Sequence, residues 1–228
     1  MHRILGIFVL VCGLTLAGCG ESSSPESSVT PQSQAPSAAS EEGLSADSYA
    51  RFGDQPAEAC TASVVEVFAY TCIHCYRFEP YLEDWLESVE HDNIEFRRVA
   101  MPGNQAMNTW ARVFKSLEMM EAIEQIHEPL FERLHGEAER IESMEQLQAF
   151  VESFGFDGEV FAELLVSDEV TEALREDVEL MRAAGTSVTP SMIVNNRYRL
   201  EPRGQRPFED MLSAVNHLIE RDRREAGC

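Results

Sequence analysis

The sequence predicts an α/β fold in which a mixed sheet is interrupted by an all-helical insertion. Three observations lead there. The apolar run Val64-Val65-Glu66-Val67-Phe68-Ala69 passes into helical periodicity at residues 73–89 and then into a second strand-like run at 94–99. Residues 106–184 carry helical spacing with no convincing strand. Two short strand-like runs around Asn195-Asn196 then precede a last amphipathic helix at 207–222.

Before this pattern begins, Met1-His2-Arg3, an apolar stretch at 4–16 and Leu16-Ala17-Gly18-Cys19 have the order of a secretory leader. Residues 1–18 are therefore expected to be removed. The tetrapeptide ending at Cys19 resembles the lipobox of bacterial lipoproteins, which implies acylation of Cys19 and a lipid anchor in a bacterial membrane. The alternative is ordinary cleavage that leaves the thiol unmodified. Residues 21–40 contain eight Ser and three Pro, with Val29 as the one large aliphatic side chain. Such a stretch buries too little apolar surface to offset its ordering entropy, so 19–45 read as an anchored tether.

The folded part is expected from residue 46, with an edge strand at 49–52. The run at 64–69 suits a strand covered on both faces. With the helix at 73–89 and the strand at 94–99, stopped by Met101-Pro102-Gly103, it makes a parallel βαβ unit in a first segment, 46–104. The insertion, 105–184, breaks into helices at a capping-box spacing, Ser143 to Gln146, at Asp157-Gly158, and at Ser167 or Asp168. Trp110, Val113, Phe114 and Leu117, and again Leu147, Phe150, Val151 and Phe154, mark its packed faces. In the last segment, 185–228, Asn195-Asn196 suit a hairpin turn at positive φ between strands at 192–194 and 198–200.

Composition narrows the function. Lys and Arg number 18 against 40 Asp and Glu, a formal charge of −22, which argues against nucleic-acid binding. Lys115 is the sole lysine, and no basic run is long enough to bind anionic headgroups. Of six cysteines, Cys12 falls in the leader, leaving Cys19, Cys60, Cys72, Cys75 and Cys228 to be explained in an oxidising compartment.

Cys72-Ile73-His74-Cys75 sits where the first helix begins. Two cysteines at this spacing can close a disulfide with little backbone movement. Unpaired backbone N–H groups and the helix dipole favour a thiolate on the first. His74 adds a neighbour able to carry positive charge. Metal sites also use Cys-x-x-Cys, but zinc needs four ligands and no second pair follows, so no metal site is expected. His127 and His135, eight residues apart, read as helix-surface histidines.

The segment at 64–79, Val-Val-Glu-Val-Phe-Ala-Tyr-Thr-Cys-Ile-His-Cys-Tyr-Arg-Phe-Glu, resembles the active-site strand and helix of the DsbA family of thiol:disulfide interchange proteins. The likeness continues through Gly155-Phe156-Asp157-Gly158-Glu159 and Val188-Thr189-Pro190-Ser191-Met192-Ile193-Val194-Asn195-Asn196-Arg197-Tyr198, in family order over residues 60–222. It implies a thioredoxin-like fold, an unusually acidic nucleophilic cysteine and an oxidising couple. By the same resemblance Cys72 is the nucleophile, Cys75 its buried partner, and His74 tunes the thiolate. Glu66, on one strand face with Val64 and Phe68, matches the family's acidic residue beneath the active site and is expected to be buried and able to exchange a proton with Cys75, a solvent-facing carboxylate being the alternative. The resemblance makes Thr189-Pro190 the loop whose proline is cis and whose backbone pairs with an extended substrate, a trans proline at a strand entrance being the alternative. Ile73 and Thr189 stand where the family commonly has proline and valine, which bears on potential and direction. Pro80 falls inside the helix, as in thioredoxin.

In such a sheet the active-site strand begins at the pole away from the cysteine pair, and the last helix returns there. Cys60 and Cys228 are thus expected to form a structural disulfide, free or intermolecular thiols being the alternative. The implied activity is a monomeric, cofactor-free oxidase that passes its disulfide to unfolded or partly folded exported proteins. A DsbB-like membrane quinone reductase would reoxidise it. A reductase or isomerase on the same thiols, or a non-catalytic metal or polypeptide chaperone, are the rivals.

Overall fold

The computed structural model describes residues 44, 47–54, 60–89, 93–136 and 140–228. The leader, Cys19 and all of the expected tether except Leu44 lie outside the described residues. The described chain runs through β1 (Ala50–Arg51), β2 (Ala62–Phe68), α1 (Ile73–Ser88), β3 (Ile94–Ala100), α2 (Gln105–Met119), α3 (Ile123–His135), α4 (Met144–Ser153), α5 (Gly158–Val166), α6 (Asp168–Ala184), β4 (Ser191–Val194), β5 (Tyr198–Leu200) and α7 (Pro207–Ala226). None of these helices is long and apolar enough to cross a membrane.

The five strands lie in the order β1-β5-β4-β2-β3. Only β2 and β3 are parallel, as a helical crossover between them requires. The near-continuous apolar character of β2, interrupted at Ser63 and Glu66, is explained by its two covers. Val64 packs with Phe78 and Leu82 of α1 and Leu218 of α7, while Val65 and Val67 pack against Met181 and Ala184 of α6. Between β4 and β5, Asn195 and Asn196 adopt φ of 53° and 51°, and the Arg197 N–H closes the turn on the Val194 carbonyl at 2.9 Å.

Two edges differ from the sequence reading. β1 has two residues, since pairing with β5 is confined to Ala50↔Arg199 and Arg51↔Tyr198. The last helix continues past 222 to Ala226, where Arg223 and Arg224 oppose its dipole and Gly227, at φ 82°, ends it in the left-handed region.

The helical stretch divides where side chains satisfy orphan N–H groups. Ser143 accepts from Gln146 N at 3.2 Å, Asp157 from Glu159 N and Val160 N at 2.9 and 3.1 Å, and Ser167 from Val170 N at 3.1 Å. Gln146 reaches back to Glu142 N, at 2.7 Å, one residue before the expected partner of a capping box. The insertion is not an appendage. Phe114, Leu117, Ile126, Leu130 and Phe131 form one core with Phe68, Tyr70 and Cys75. Each such buried side chain contributes about 1.5–3 kcal/mol. A polar clamp adds to this: Lys115 of α2 is buried between Glu118 at 2.5 Å and Asp177 of α6 at 2.7 Å, and Asp177 also meets Arg97 of β3 at 3.1 Å.

Candidate active site

Helix α1 begins at the C-terminal end of β2, so the turn between them delivers Cys72 as the helix N-cap. Its sulfur accepts the Cys75 N–H at 3.3 Å and lies 3.5 Å from the Thr189 carbonyl. Thr189-Pro190 is a cis peptide, and Pro190 is buried. Cys72 is half-buried, Cys75 fully buried, and the pair stands as two thiols.

The two sulfurs have opposite chemistry. Hydrogen bonds from the Cys75 side chain, the Thr189 side chain and the backbone of Cys75 and His74 outweigh partial burial and lower the Cys72 pKa to about 5. Burial, reinforced by the adjacent Cys72 and by Glu66, pushes Cys75 far above an ordinary thiol. A stable thiolate thus faces the surface while its partner keeps its proton. The His74 side chain is exposed, and its backbone N–H is the part that supports the sulfur.

Beneath the pair lies a polar cluster that the sequence reading found only in part. Glu66 of β2 is fully buried, and burial followed by the charge of Glu79 raises its pKa to about 8. Arg98 of β3, its register partner, donates from Nε to Glu66 at 3.0 Å and from Nη2 to Glu79 of α1 at 3.1 Å. Burial alone would raise Glu79, but His127 and Arg98 more than offset it and hold Glu79 below the usual carboxylate range. Among the described residues Glu66 Oε1 has no hydrogen-bond partner.

His127 and His135 are not surface histidines. His127 is buried among Phe68, Phe114 and Phe131, with Nδ1 2.9 Å from the Tyr70 hydroxyl and Nε2 3.3 Å from Glu79 Oε1. Burial lowers its pKa, so the ring is neutral. The ionised Glu79 can only accept; Nε2 therefore carries the hydrogen and Nδ1 accepts from Tyr70. His135 Nε2 meets the Tyr70 carbonyl at 2.6 Å, and its ring stacks on Tyr76. Periodicity in α3 alone could not place these rings, because Phe68, Tyr70 and Tyr76, which they meet, lie outside the insertion. Glu79 was legible in principle: it shares the buried helix face of Cys75, Phe78, Leu82 and Trp85.

At the opposite pole a disulfide joins Cys60 to Cys228, with Cα atoms 5.7 Å apart. No group of three or more His, Cys, Asp or Glu among the described residues is arranged to hold a metal ion.

The family profile of the DSBA-like thioredoxin domain matches residues 63–216, spanning the cysteine pair, the insertion and the cis-proline loop. The chain belongs to the DsbA family. It is 30% identical over 160 residues to the thiol:disulfide interchange protein DsbA of Azotobacter vinelandii, covering 70% of this chain and 74% of that one. To DsbA of Pseudomonas aeruginosa PAO1 it is 30% identical over 163 residues, covering 72% and 77%. The crystal structure of P. aeruginosa DsbA superposes with a TM-score of 0.69 at 27% identity, over 79% of this chain and 95% of that one. The fold is thus DsbA-like, a thioredoxin fold with a helical insertion, and the activity class is that of a thiol:disulfide oxidoreductase.

Proposed function

We propose that this DsbA-family chain is an oxidase that transfers the Cys72–Cys75 disulfide to exported proteins. The observation that carries this reading is the half-buried Cys72 sulfur, with a pKa near 5, beside a buried Cys75 thiol. A low-pKa sulfur is a good leaving group and stabilises the reduced enzyme, both of which favour giving the disulfide away.

In the proposed cycle a substrate thiolate attacks Cys72 of the oxidised pair, forming a mixed disulfide and releasing Cys75 as a thiolate. Cys75 takes a proton from the Glu66 carboxyl, which regains one from solvent. The second substrate thiolate attacks its own half of the mixed disulfide, and Cys72 leaves as a thiolate. The substrate has lost two electrons and the enzyme has gained them. Thr189, preceding the cis-proline, offers its backbone to an extended substrate, and His74 supports the Cys72 thiolate.

A quinone reductase of the DsbB kind would take the electrons on. Export and a lipid anchor at Cys19 would place the monomer on the periplasmic side of a bacterial membrane, and the Cys60–Cys228 disulfide suits that compartment.

Equilibration with glutathione tests the direction. A potential near the oxidising end of the range from about −270 mV for thioredoxin to about −120 mV for DsbA supports donation. One near thioredoxin's would make the protein a reductase, with Ile73 and Thr189 as the departures responsible. Cys72→Ser should abolish exchange with a model dithiol peptide.

A further inference from the structure

Five groups beneath Cys75 form a hydrogen-bonded line that joins the helical insertion to the sheet: Tyr70 hydroxyl to His127 Nδ1, His127 Nε2 to Glu79, Glu79 to Arg98, and Arg98 to Glu66. The line contains two buried carboxylates and one arginine. Two carboxylates cannot both stay ionised around one guanidinium at this depth without a large penalty, so one keeps a proton. Which one keeps it decides whether a charge sits under the cysteine pair.

We propose that His127 is a positioning residue for the dithiol chemistry: its Nε2–H fixes the shared proton on Glu66 and the negative charge on Glu79, away from the sulfurs. Geometry makes the choice. Glu79 has both oxygens engaged, one by His127 and one by Arg98, so its ionised form is doubly hydrogen-bonded. Glu66 has one oxygen on Arg98 and the other without a partner among the described residues, which leaves that oxygen to carry the proton. Tyr70 supports this tautomer, because its hydroxyl can donate to Nδ1 and so leave the ring hydrogen on the side facing the acceptor-only Glu79.

The groups around His127 fit this assignment. Tyr70 meets it from the turn after β2 and Glu79 from α1, the charges of Arg98 on β3 and of Glu128 on its own helix act on it, and α2 presents the Phe114 ring. The effects of Arg98 and the carboxylates on the histidine oppose each other, and burial keeps the ring neutral. Phe68, Phe114 and Phe131 pack edge-to-face around the ring. The helical insertion thereby takes part in the redox site, in addition to covering it.

This inference rests on the reading of Cys72 and Cys75 as the exchanging pair with Glu66 as the proton partner. Its test is the pH titration of the Cys72 thiolate in the reduced full chain, followed by ultraviolet absorbance and by iodoacetamide alkylation. It is measured for the unsubstituted protein, His127→Phe, Glu66→Gln and the double variant. With His127→Phe the proton should move to Glu79, the charge to Glu66, and the Cys72 midpoint should rise by about one pH unit. In the Glu66→Gln background the same substitution should leave the midpoint unchanged. An equal rise in both backgrounds, or none in either, overturns the proposal, since a packing defect does not depend on the Glu66 charge.

If circular dichroism shows that His127→Phe is unfolded, Tyr70→Phe carries the same comparison, with a smaller rise of the same sign expected. An unsubstituted protein whose Cys72 titrates like a free thiol would instead strike at the oxidase reading itself, so the two failures are distinguishable.

Discussion

Each pole of the molecule buries an arginine, a carboxylate and a tyrosine, yet the balance of buried charge differs between them. At the far pole Arg197 meets Asp222 at 2.7 Å, both buried, and Asp222 also accepts from Tyr198 at 3.1 Å and Asn195 at 2.7 Å. Arg221 lies 4.0 Å away and the half-exposed Glu225 meets Arg197 at 3.3 Å, so the buried Asp222 stands beside two arginines. Guanidinium groups do not give up protons in proteins, and a surplus of them is inert. At the active pole Glu66 and Glu79 share Arg98, the surplus is acidic, and it must be met by a proton. The ratio of carboxylates to arginines, more than burial itself, separates a structural ion pair from a proton store.

The sharpest way to break this comparison is to remove each arginine. Arg98→Met should destabilise the fold by about 4 kcal/mol at pH 8, and less at pH 5, where protonation relieves the two stranded carboxylates. The measurement is urea unfolding at the two pH values. Removal of the Cys60–Cys228 disulfide by a double Ser substitution should cost about 3 kcal/mol in the same assay, since it releases a loop spanning 168 residues. The Cys72 titration should stay where it is, because the disulfide lies at the other pole. Arg197→Met should cost about 2 kcal/mol, with little difference between pH 5 and pH 8, because Asp222 keeps two hydrogen bonds and a neighbouring arginine. Equal pH dependence in the two arginine variants would remove the basis of the contrast.

A further test concerns Cys72. Its folded pKa, about 5, lies below the free-thiol value of 9.0, so the stability it lends the reduced protein is complete above pH 9 and lost as the pH falls through 5. The melting temperature of the reduced form minus that of the oxidised form should therefore shrink between pH 8 and pH 4. A constant difference would mean that the thiolate contributes nothing to the reduced state.

Sequence periodicity carried the sheet and the cysteine pair well because both obey local rules. A doubly covered strand must be apolar along most of its length, and Cys-x-x-Cys at a helix start needs no distant partner to be recognised. The proton store obeys none of these. Arg98 reads as an ordinary strand cation until the parallel register sets it opposite Glu66. His127 lies on a helix whose buried face is defined by Phe68 and Tyr70, more than fifty residues earlier in the chain. Glu79 alone left a local trace, a carboxylate at a core-facing position of α1. Long-range pairing of polar groups has no period, and for that reason it escaped.

The clamp around Lys115 has a chemical consequence of its own. Every other basic side chain in the sequence is an arginine or a histidine, so Lys115 is the chain's single ε-amine, and in the folded state it is enclosed between α2 and α6. Acylating reagents aimed at lysine will find no side-chain foothold on the native surface. Modification of Lys115 requires the two helices to part, which turns a routine labelling reaction into a clock for the opening of the insertion.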